Sequence, residues 1–430
     1  MRKISAFQIV LLASFGAFAV AGVLIFAFAV SGNNSSVVGQ VTIWGTLPAA
    51  PITQTLQELS DADPDFEQVS YVEKDPATIA DELVEALAAG GGPDLYVIRD
   101  DDAYESRDRV AIVPYESLSR ERFESTFIDA ASPYLGQAGV IGIPLVADPL
   151  VLYWNRDILS NAGYAKPPAY WDEINEFTRI VTKRSESGGI GVSALSFGEY
   201  QNVQHAKEIV GMLILQAGGV LTSYDTEGRL VSALSLSGAG GLQAATNALR
   251  FYTEFADPSK EKYTWNRSLP NSRQAFAAGD TALFIGLYSE ARDIQTTNPN
   301  INFSLAPIPQ RRDVHAVGGG YVYALAIPRT AKNRIGATAV AYKLAGDSAS
   351  ELLSERLGLA SARRDVLAKR PPKNELLNSQ TVIMRSWVDP ATSETDTIFR
   401  GMIEDTTSGA FQLSDALQRA DRQLQNLLQP

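Results

Sequence analysis

Residues 41–98, VTIWGTLPAAPITQTLQELSDADPDFEQVSYVEKDPATIADELVEALAAGGGPDLYVI, alternate two kinds of hydrophobic pattern. Short apolar runs at Val41–Trp44, Val69–Val72 and Leu95–Ile98 predict three strands. Between them, apolar residues recur at intervals of three and four, which predicts two amphipathic helices. An order of strand, helix, strand, helix, strand within about 60 residues is typical of a parallel sheet covered by helices.

The length and charge of the chain limit its architecture and its partners. At 430 residues the chain exceeds one ordinary core and favours two lobes of about 150–200 residues each. It carries 37 Lys and Arg against 49 Asp and Glu, a formal net charge of -12. Such an acidic chain repels phosphate backbones, so we expect no nucleic acid partner.

The near absence of two residue types narrows the chemistry. There is no cysteine, which excludes disulfides, thiolate nucleophiles and cysteine metal sites. Only His205 and His315 provide imidazole, and neither has a partner at ligand spacing. We therefore expect no metal, no cofactor and no catalytic residue.

The N-terminus has the pattern of a membrane segment. Arg2 and Lys3 precede an apolar stretch over residues 9–30, about the length of a membrane-spanning helix. The basic flank places the rest of the chain outside the cytoplasm, at the cell membrane. We interpret residues 1–31 as a transmembrane anchor, with a cleaved signal peptide as the alternative, and residues 32–40 as a tether.

Four segments further along the chain carry a resemblance to a known family. In order, they are IPLVADPLVLYWNRD at residues 143–157, YWDE at 170–173, AFAAGDTAL at 275–283, and LAPIP at 305–309 followed by three glycines at 318–320. Their order and spacing resemble the extracellular solute-binding proteins of ABC importers, family 1, the maltose-binding-protein-like type. The resemblance runs over nearly all of residues 41–370. No lipid-modified cysteine and no matching C-terminal segment accompany it.

The resemblance implies an α/β, two-lobed periplasmic-binding-protein fold of type II, the Venus flytrap. The N-lobe would hold residues 41–148 plus 316–346. The C-lobe would hold residues 149–315 plus 347–430. Ligand would lie between the lobes, over the carboxyl ends of the parallel strands, where an open α/β sheet leaves a crevice.

Aromatic and polar residues near this crevice are the candidate ligand contacts. Aromatic rings suit the apolar face of a sugar, and carboxylates accept hydrogen bonds from hydroxyls or amines. Core packing or helix capping is the alternative for each residue, and Trp171 is expected in the core. The candidates are Trp44, Thr46, Asp100, Asp101, Asp148, Tyr153, Tyr200, Asn202, Trp265, Tyr288, Gly320, Tyr321 and Arg363.

These features predict a binding protein that captures a small solute, first of all a sugar or oligosaccharide, for ABC permease subunits. Two other functions stay open at this point. The same fold could act as a ligand sensor for a membrane receptor. A secreted carbohydrate-active enzyme is the third possible function, although no pair of carboxylates is identified as the acid and the nucleophile of a glycosidase.

Overall fold

The computed structural model describes residues 38–186, 188–235, 241–369 and 374–429. The N-terminal membrane helix expected from the sequence lies outside these residues. Within the described part of the chain, no helix is both long enough and apolar enough to cross a membrane.

The strands of the described residues fall throughout the chain and vary from two to thirteen residues. They are β1 (Val41–Gly45), β2 (Val69–Glu73), β3 (Leu95–Arg99), β4 (Val113–Pro114), β5 (Gly139–Val140), β6 (Ile143–Asn155), β7 (Lys183–Arg184), β8 (Ile190–Leu195), β9 (Thr222–Tyr224), β10 (Leu230–Ser232), β11 (Thr281–Leu287), β12 (Phe303–Ala306), β13 (Gly320–Ala326) and β14 (Ala360–Ser361).

Helices separate most of these strands. They are α1 (Ala49–Ala62), α2 (Ile79–Ala88), α3 (Ala103–Ser106), α4 (Arg120–Thr126), α5 (Arg156–Asn161), α6 (Glu173–Val181), α7 (Ala206–Gln216), α8 (Gly241–Thr253), α9 (Ser272–Ala278), α10 (Ala291–Thr297), α11 (Arg334–Leu344), α12 (Asp347–Leu357), α13 (Arg364–Ala368), α14 (Glu375–Val382), α15 (Thr392–Thr407) and α16 (Leu413–Leu427). Short 3-10 helices lie at Pro64–Phe66, Asp100–Asp102, Asp129–Tyr134 and Tyr288–Glu290.

The first part of the sheet has the arrangement that residues 41–98 predict. Strand β1 pairs in parallel with both β2 and β3. Helices α1 and α2 are the crossovers between these strands, because parallel neighbours need a connection that returns along the sheet. Strand β13 then pairs antiparallel with β3 and joins these strands to β6.

Strand β6 connects the two halves of the molecule. Its residues Ile143–Pro149 pair with β13, and β14 adds to the same half. From Leu150 onward its partners are β11 on one edge and β12 on the other. All of its residues except the half-buried Trp154 are buried, as expected for a strand with packed helices on both faces. The change of partner lies between Pro149 and Leu150, one residue beyond the lobe boundary expected after Asp148.

Two large hydrophobic cores lie on either side of this change of partner. The first lobe has its core from Val38–Ala147 and Val322–Ala345. The second lobe has its core from Leu150–Ile308 and Ile398–Leu424. The first core also contains buried residues between Leu353 and Met384, a stretch that the sequence placed in the C-lobe. The reason lies in contacts between distant parts of the chain: α12 packs against α1, and β14 pairs with Val146 and Ala147 of β6.

Candidate functional site

A small cavity of about 40 Å³ lies between the two lobes. This volume suits a few water molecules but not a sugar, so a larger solute requires the lobes to separate. The lining comes from the end of β3, the start of β13, one face of α7 along its length and the loop after α14. Its residues are Asp100, Asp101, Lys207, Glu208, Gly211, Met212, Leu215, Gly319, Gly320, Tyr321, Arg385, Ser386, Trp387 and Asp389.

The two aspartates of the cavity follow directly from β3. Asp100 accepts hydrogen bonds from the Val322 backbone N–H at 2.8 Å and from the Ser386 hydroxyl. Asp101 accepts one at 2.8 Å from the Arg99 guanidinium. Both aspartates are buried. Burial raises the pKa of Asp100 to about 6 and the pKa of Asp101 well above its usual range, because the interior penalises the charged form.

Helix α7 brings one cation and one carboxylate to the opposite side. Lys207 Nζ lies 2.6 Å from Asp389 Oδ2 and 2.8 Å from Thr395 Oγ1. Glu208 accepts a hydrogen bond of 2.7 Å from the Tyr321 hydroxyl. Burial opposes the charge of Glu208, but His205 and Tyr321 together hold its pKa below the usual value. The two lobes are thus joined by polar contacts across the cavity.

The segment from Arg385 to Thr392, the first residue of α15, closes the remaining side of the cavity. Arg385 Nη2 lies 2.8 Å from Asp129 Oδ2 in the first lobe, and Thr392 Oγ1 donates to the Asp101 carbonyl at 3.0 Å. Trp387 stacks on Phe399 with ring centroids 6.1 Å apart. The segment therefore presents an indole ring to the cavity while it contacts both lobes.

Close backbone contact explains the glycine at the start of β13. Gly320 has a φ of +138°, and a Cβ atom there would lie 2.3 Å from the Asp148 carbonyl oxygen. Only glycine permits this approach. It places Tyr321 opposite Asp148 in the register of β13 and β6, with the phenol directed to Glu208.

The structure brings four of the sequence candidates to the cavity: Asp100, Asp101, Gly320 and Tyr321. Asp148 lies just behind them, buried, and accepts a hydrogen bond of 3.1 Å from the Ser289 N–H. Tyr288, which precedes Ser289, is half-buried where the first core meets a small cluster of the second lobe. These residues share one region because they lie at strand ends or beside the change of partner in β6.

The other candidates lie away from the cavity lining. Trp44 borders the first core, with Lys74 Nζ 3.9 Å from its ring centroid, and Thr46 is half-buried two residues beyond it. Tyr153 is fully buried in an aromatic cluster of the second lobe. Arg363 pairs with Asp365 and donates to the Ala345 carbonyl, and Tyr200 bonds Asp396. Asn202 and Trp265 bond each other in the second core. Trp171 is in that core as expected, 7% exposed.

Sequence reasoning did not include Lys207, Glu208, Arg385 and Asp389 among the candidates. Lys207 and Glu208 are two charged residues in the first turn of an otherwise apolar helix, a signal that could have marked them. His205, which has no partner at metal-ligand spacing in the sequence, has its Nε2 3.3 Å from Glu290 Oε2. Within the described residues, no group of three or more histidines, cysteines and acids could hold a metal ion.

The buried carboxyl of Asp148 should make the free energy of unfolding depend on pH. Burial raises the pKa of Asp148 from 3.8 to about 6. Above pH 6 the folded protein must hold Asp148 ionised in its interior, which lowers the free energy of unfolding by up to about 3 kcal/mol. As the pH falls from 6 toward 3.8 the folded protein takes up a proton at Asp148, and this cost disappears. Asp148→Asn, which keeps an oxygen for Ser289, should therefore stabilise the protein more at about pH 7.5 than at about pH 4.5. Urea midpoints measure this, and equal shifts at both pH values would contradict it.

Proteins of known structure share this two-lobed architecture. The ABC transporter solute-binding protein from Thermotoga lettingae bound with α-D-tagatose has a TM-score of 0.66 at 20% identity, covering 91% of this chain and 100% of that one. The cyclic α-maltosyl-1,6-maltose-binding protein from Arthrobacter globiformis has a TM-score of 0.72 at 14% identity, covering 90% of this chain and 98% of that one. The maltose/maltodextrin-binding domain from Bdellovibrio bacteriovorus bound to maltotriose has a TM-score of 0.66 at 16% identity, covering 90% of this chain and 99% of that one. The chain therefore has the two-lobed fold of these proteins.

The amino-acid sequence shows which family the chain belongs to. The model of the bacterial extracellular solute-binding protein family matches residues 56–377, so the chain belongs to this family. Its members and the structural relatives are binding proteins and not enzymes. A binding protein from Brucella abortus strain 2308 is 24% identical over 230 residues, 53% of this chain and 52% of that protein. The chain thus spans about half the length of the curated relatives it matches. The family confirms the resemblance carried by the four segments.

Proposed function

We propose that this protein captures a carbohydrate between its lobes and delivers it to an ABC permease. The observation that carries the proposal is the interlobe cavity, where the rings of Tyr321 and Trp387 accompany buried carboxylates. Aromatic faces suit the apolar side of a sugar ring, and carboxylates accept hydrogen bonds from its hydroxyls. The sugars bound by the structural relatives support the same class of ligand.

The proposal includes a hinge and an attachment. Strand β6, where its partners change between Pro149 and Leu150, is the place where the lobes would rotate apart to admit the sugar. The apolar residues 9–30 would hold the receptor at the membrane with its lobes outside, and retention in carbonate-washed membranes tests that attachment.

The binding role of Trp387 gives the direct test. Thermal shifts of the full chain against mono- and oligosaccharides identify a ligand, because one at about 100 times its dissociation constant adds about 2.7 kcal/mol of stability. Trp387→Ala should then weaken the binding of that ligand by about 1–3 kcal/mol, measured by calorimetry.

Tyr224→Ala is the matched control. Tyr224 is 47% exposed and is absent from the cavity lining, so this variant should bind like the parent protein. Unchanged affinity of Trp387→Ala, or an equal loss in both variants, would contradict the assignment of the cavity as the ligand site. A screen in which no saccharide raises the melting temperature would contradict the carbohydrate class.

A further inference from the structure

The charges around the interlobe cavity are unequal. Four carboxylates line it, those of Asp100, Asp101, Glu208 and Asp389, against two cations, Lys207 and Arg385. Both cations are already paired. Lys207 is 2.6 Å from Asp389, and Arg385 is 2.8 Å from an aspartate outside the lining, Asp129. The lining therefore holds more carboxyl groups than cations, and both of its cations already have an acidic partner.

One carboxylate oxygen in the lining has no donor. Asp101 is 8% exposed, and its Oδ2 accepts from Arg99 at 2.8 Å. Its Oδ1 is buried and has no hydrogen-bond partner among the described residues. The neighbouring Asp100 differs, because Val322 and Ser386 supply donors to its two oxygens. A buried acceptor without a donor is costly, so Asp101 marks a position that a ligand donor would complete.

The surroundings of Asp101 suit a cationic donor better than a neutral one. Burial raises the pKa of Asp101, so a nearby positive charge would stabilise its ionised form. The rings of Tyr321 and Trp387 line the same cavity, and aromatic faces attract ammonium groups. An ammonium group is compact and offers three donors. A sugar hydroxyl would donate one hydrogen bond but would add no positive charge to that of Arg99, which lies 2.8 Å from Oδ2.

We propose that the captured solute carries a protonated amine that binds at Asp101 Oδ1, and that it is an amino sugar. The class of ligand rests on the proposed carbohydrate function, whereas the ammonium group rests on the cavity itself. An acyclic polyamine would present the same ammonium chemistry without a sugar ring. The experiment is therefore arranged to separate the amine from the sugar.

Three disaccharides with one skeleton isolate the contribution of the amine. The β-1,4-linked glucosamine dimer, its N,N′-diacetyl derivative and cellobiose differ in the substituent at carbon 2. Calorimetry with the full chain, at a pH where the amines are protonated, should show the glucosamine dimer binding at least about tenfold more tightly than cellobiose or the acetylated dimer. Spermidine is tested in parallel as a sugar-free amine.

Asp101→Asn tests the position. It keeps the size of the side chain and removes the charge, so the preference for the amine should fall by at least about tenfold. Asp102→Asn is the matched control, because Asp102 is the next acid of the same turn, contacts Thr392 and does not line the cavity. Thermal melts confirm that both variants are folded.

The outcomes separate this inference from the carbohydrate proposal. If cellobiose binds as tightly as the glucosamine dimer, the proposed amine contact is overturned and the carbohydrate function stays intact. Spermidine binding without any of the disaccharides would support the amine and contradict the carbohydrate function. An amine preference that Asp101→Asn retains in full would overturn the assignment to this aspartate.

Discussion

Replacing Lys207 by Met should lower the free energy of unfolding by about 3–5 kcal/mol. The side chains of Lys207 and Asp389 are 5% and 1% exposed, and their charged atoms are 2.6 Å apart. Met keeps most of the volume of the lysine stem but leaves the Asp389 carboxylate without its cation. Thr395 and the Ala391 N–H still donate to that carboxylate, yet they carry no compensating charge. Urea unfolding followed by circular dichroism measures the loss.

A double variant separates the charge from the packing of this pair. Asp389→Asn in the Lys207→Met background removes the unpaired charge and keeps an oxygen for Thr395. Replacing a whole buried ion pair is often close to neutral, so the double variant should recover most of the lost stability. Full stability of the single variant, or no recovery in the double variant, would show that this pair is not a major contact between α7 and the segment 385–392.

The parts of the fold that could be predicted from sequence are those with local patterns. The strands and helices of residues 41–98 follow from hydrophobic periodicity, and their parallel order follows from the length of the crossovers. Asp100 and Asp101 were candidates for the same reason, because they directly follow a buried strand whose carboxyl end meets the crevice. Gly320 and Tyr321 joined them through the glycine-rich start of β13.

The rest of the cavity depends on contacts between residues far apart in the chain. Ser386 reaches Asp100 from 286 positions away, and Thr392 reaches the same turn. No local period encodes such a return, so Trp387 and Asp389 could not be assigned to the cavity from the sequence. The same limit explains why α12 was placed in the other lobe. Its pattern indicates a helix, but its lobe is decided by packing against α1.

Aromatic candidates show a second limit. Tyr153 and Trp265 have polar atoms that could serve a ligand, but in the structure remote groups satisfy them. The Tyr153 hydroxyl donates to the Leu287 carbonyl, and the Trp265 indole donates to Asn202. Composition alone does not distinguish a ring that stacks on a sugar from a ring that packs in a core.

Trp265→Ala should lower the free energy of unfolding by about 3–5 kcal/mol and leave the affinity of the folded protein for its solute unchanged. Trp265 is 1% exposed, and its Nε1 lies 3.0 Å from Asn202 Oδ1. Asn202 in turn donates at 2.9 Å to two carbonyls of the following loop, Asn266 and Leu269. The change therefore removes a large ring and the donor of a buried amide oxygen, two costs that act on the same core.

Trp44→Ala is the comparison for this variant, because both tryptophans were candidates from the sequence and Trp44 is only half-buried at the border of the first core. It should destabilise the protein less than Trp265→Ala, since a partly exposed ring has less apolar surface to lose. Urea midpoints and calorimetry on both variants give stability and affinity separately. Trp265→Ala that unfolds like the parent but binds its solute more than about tenfold more weakly would place Trp265 in the ligand site and not in the core.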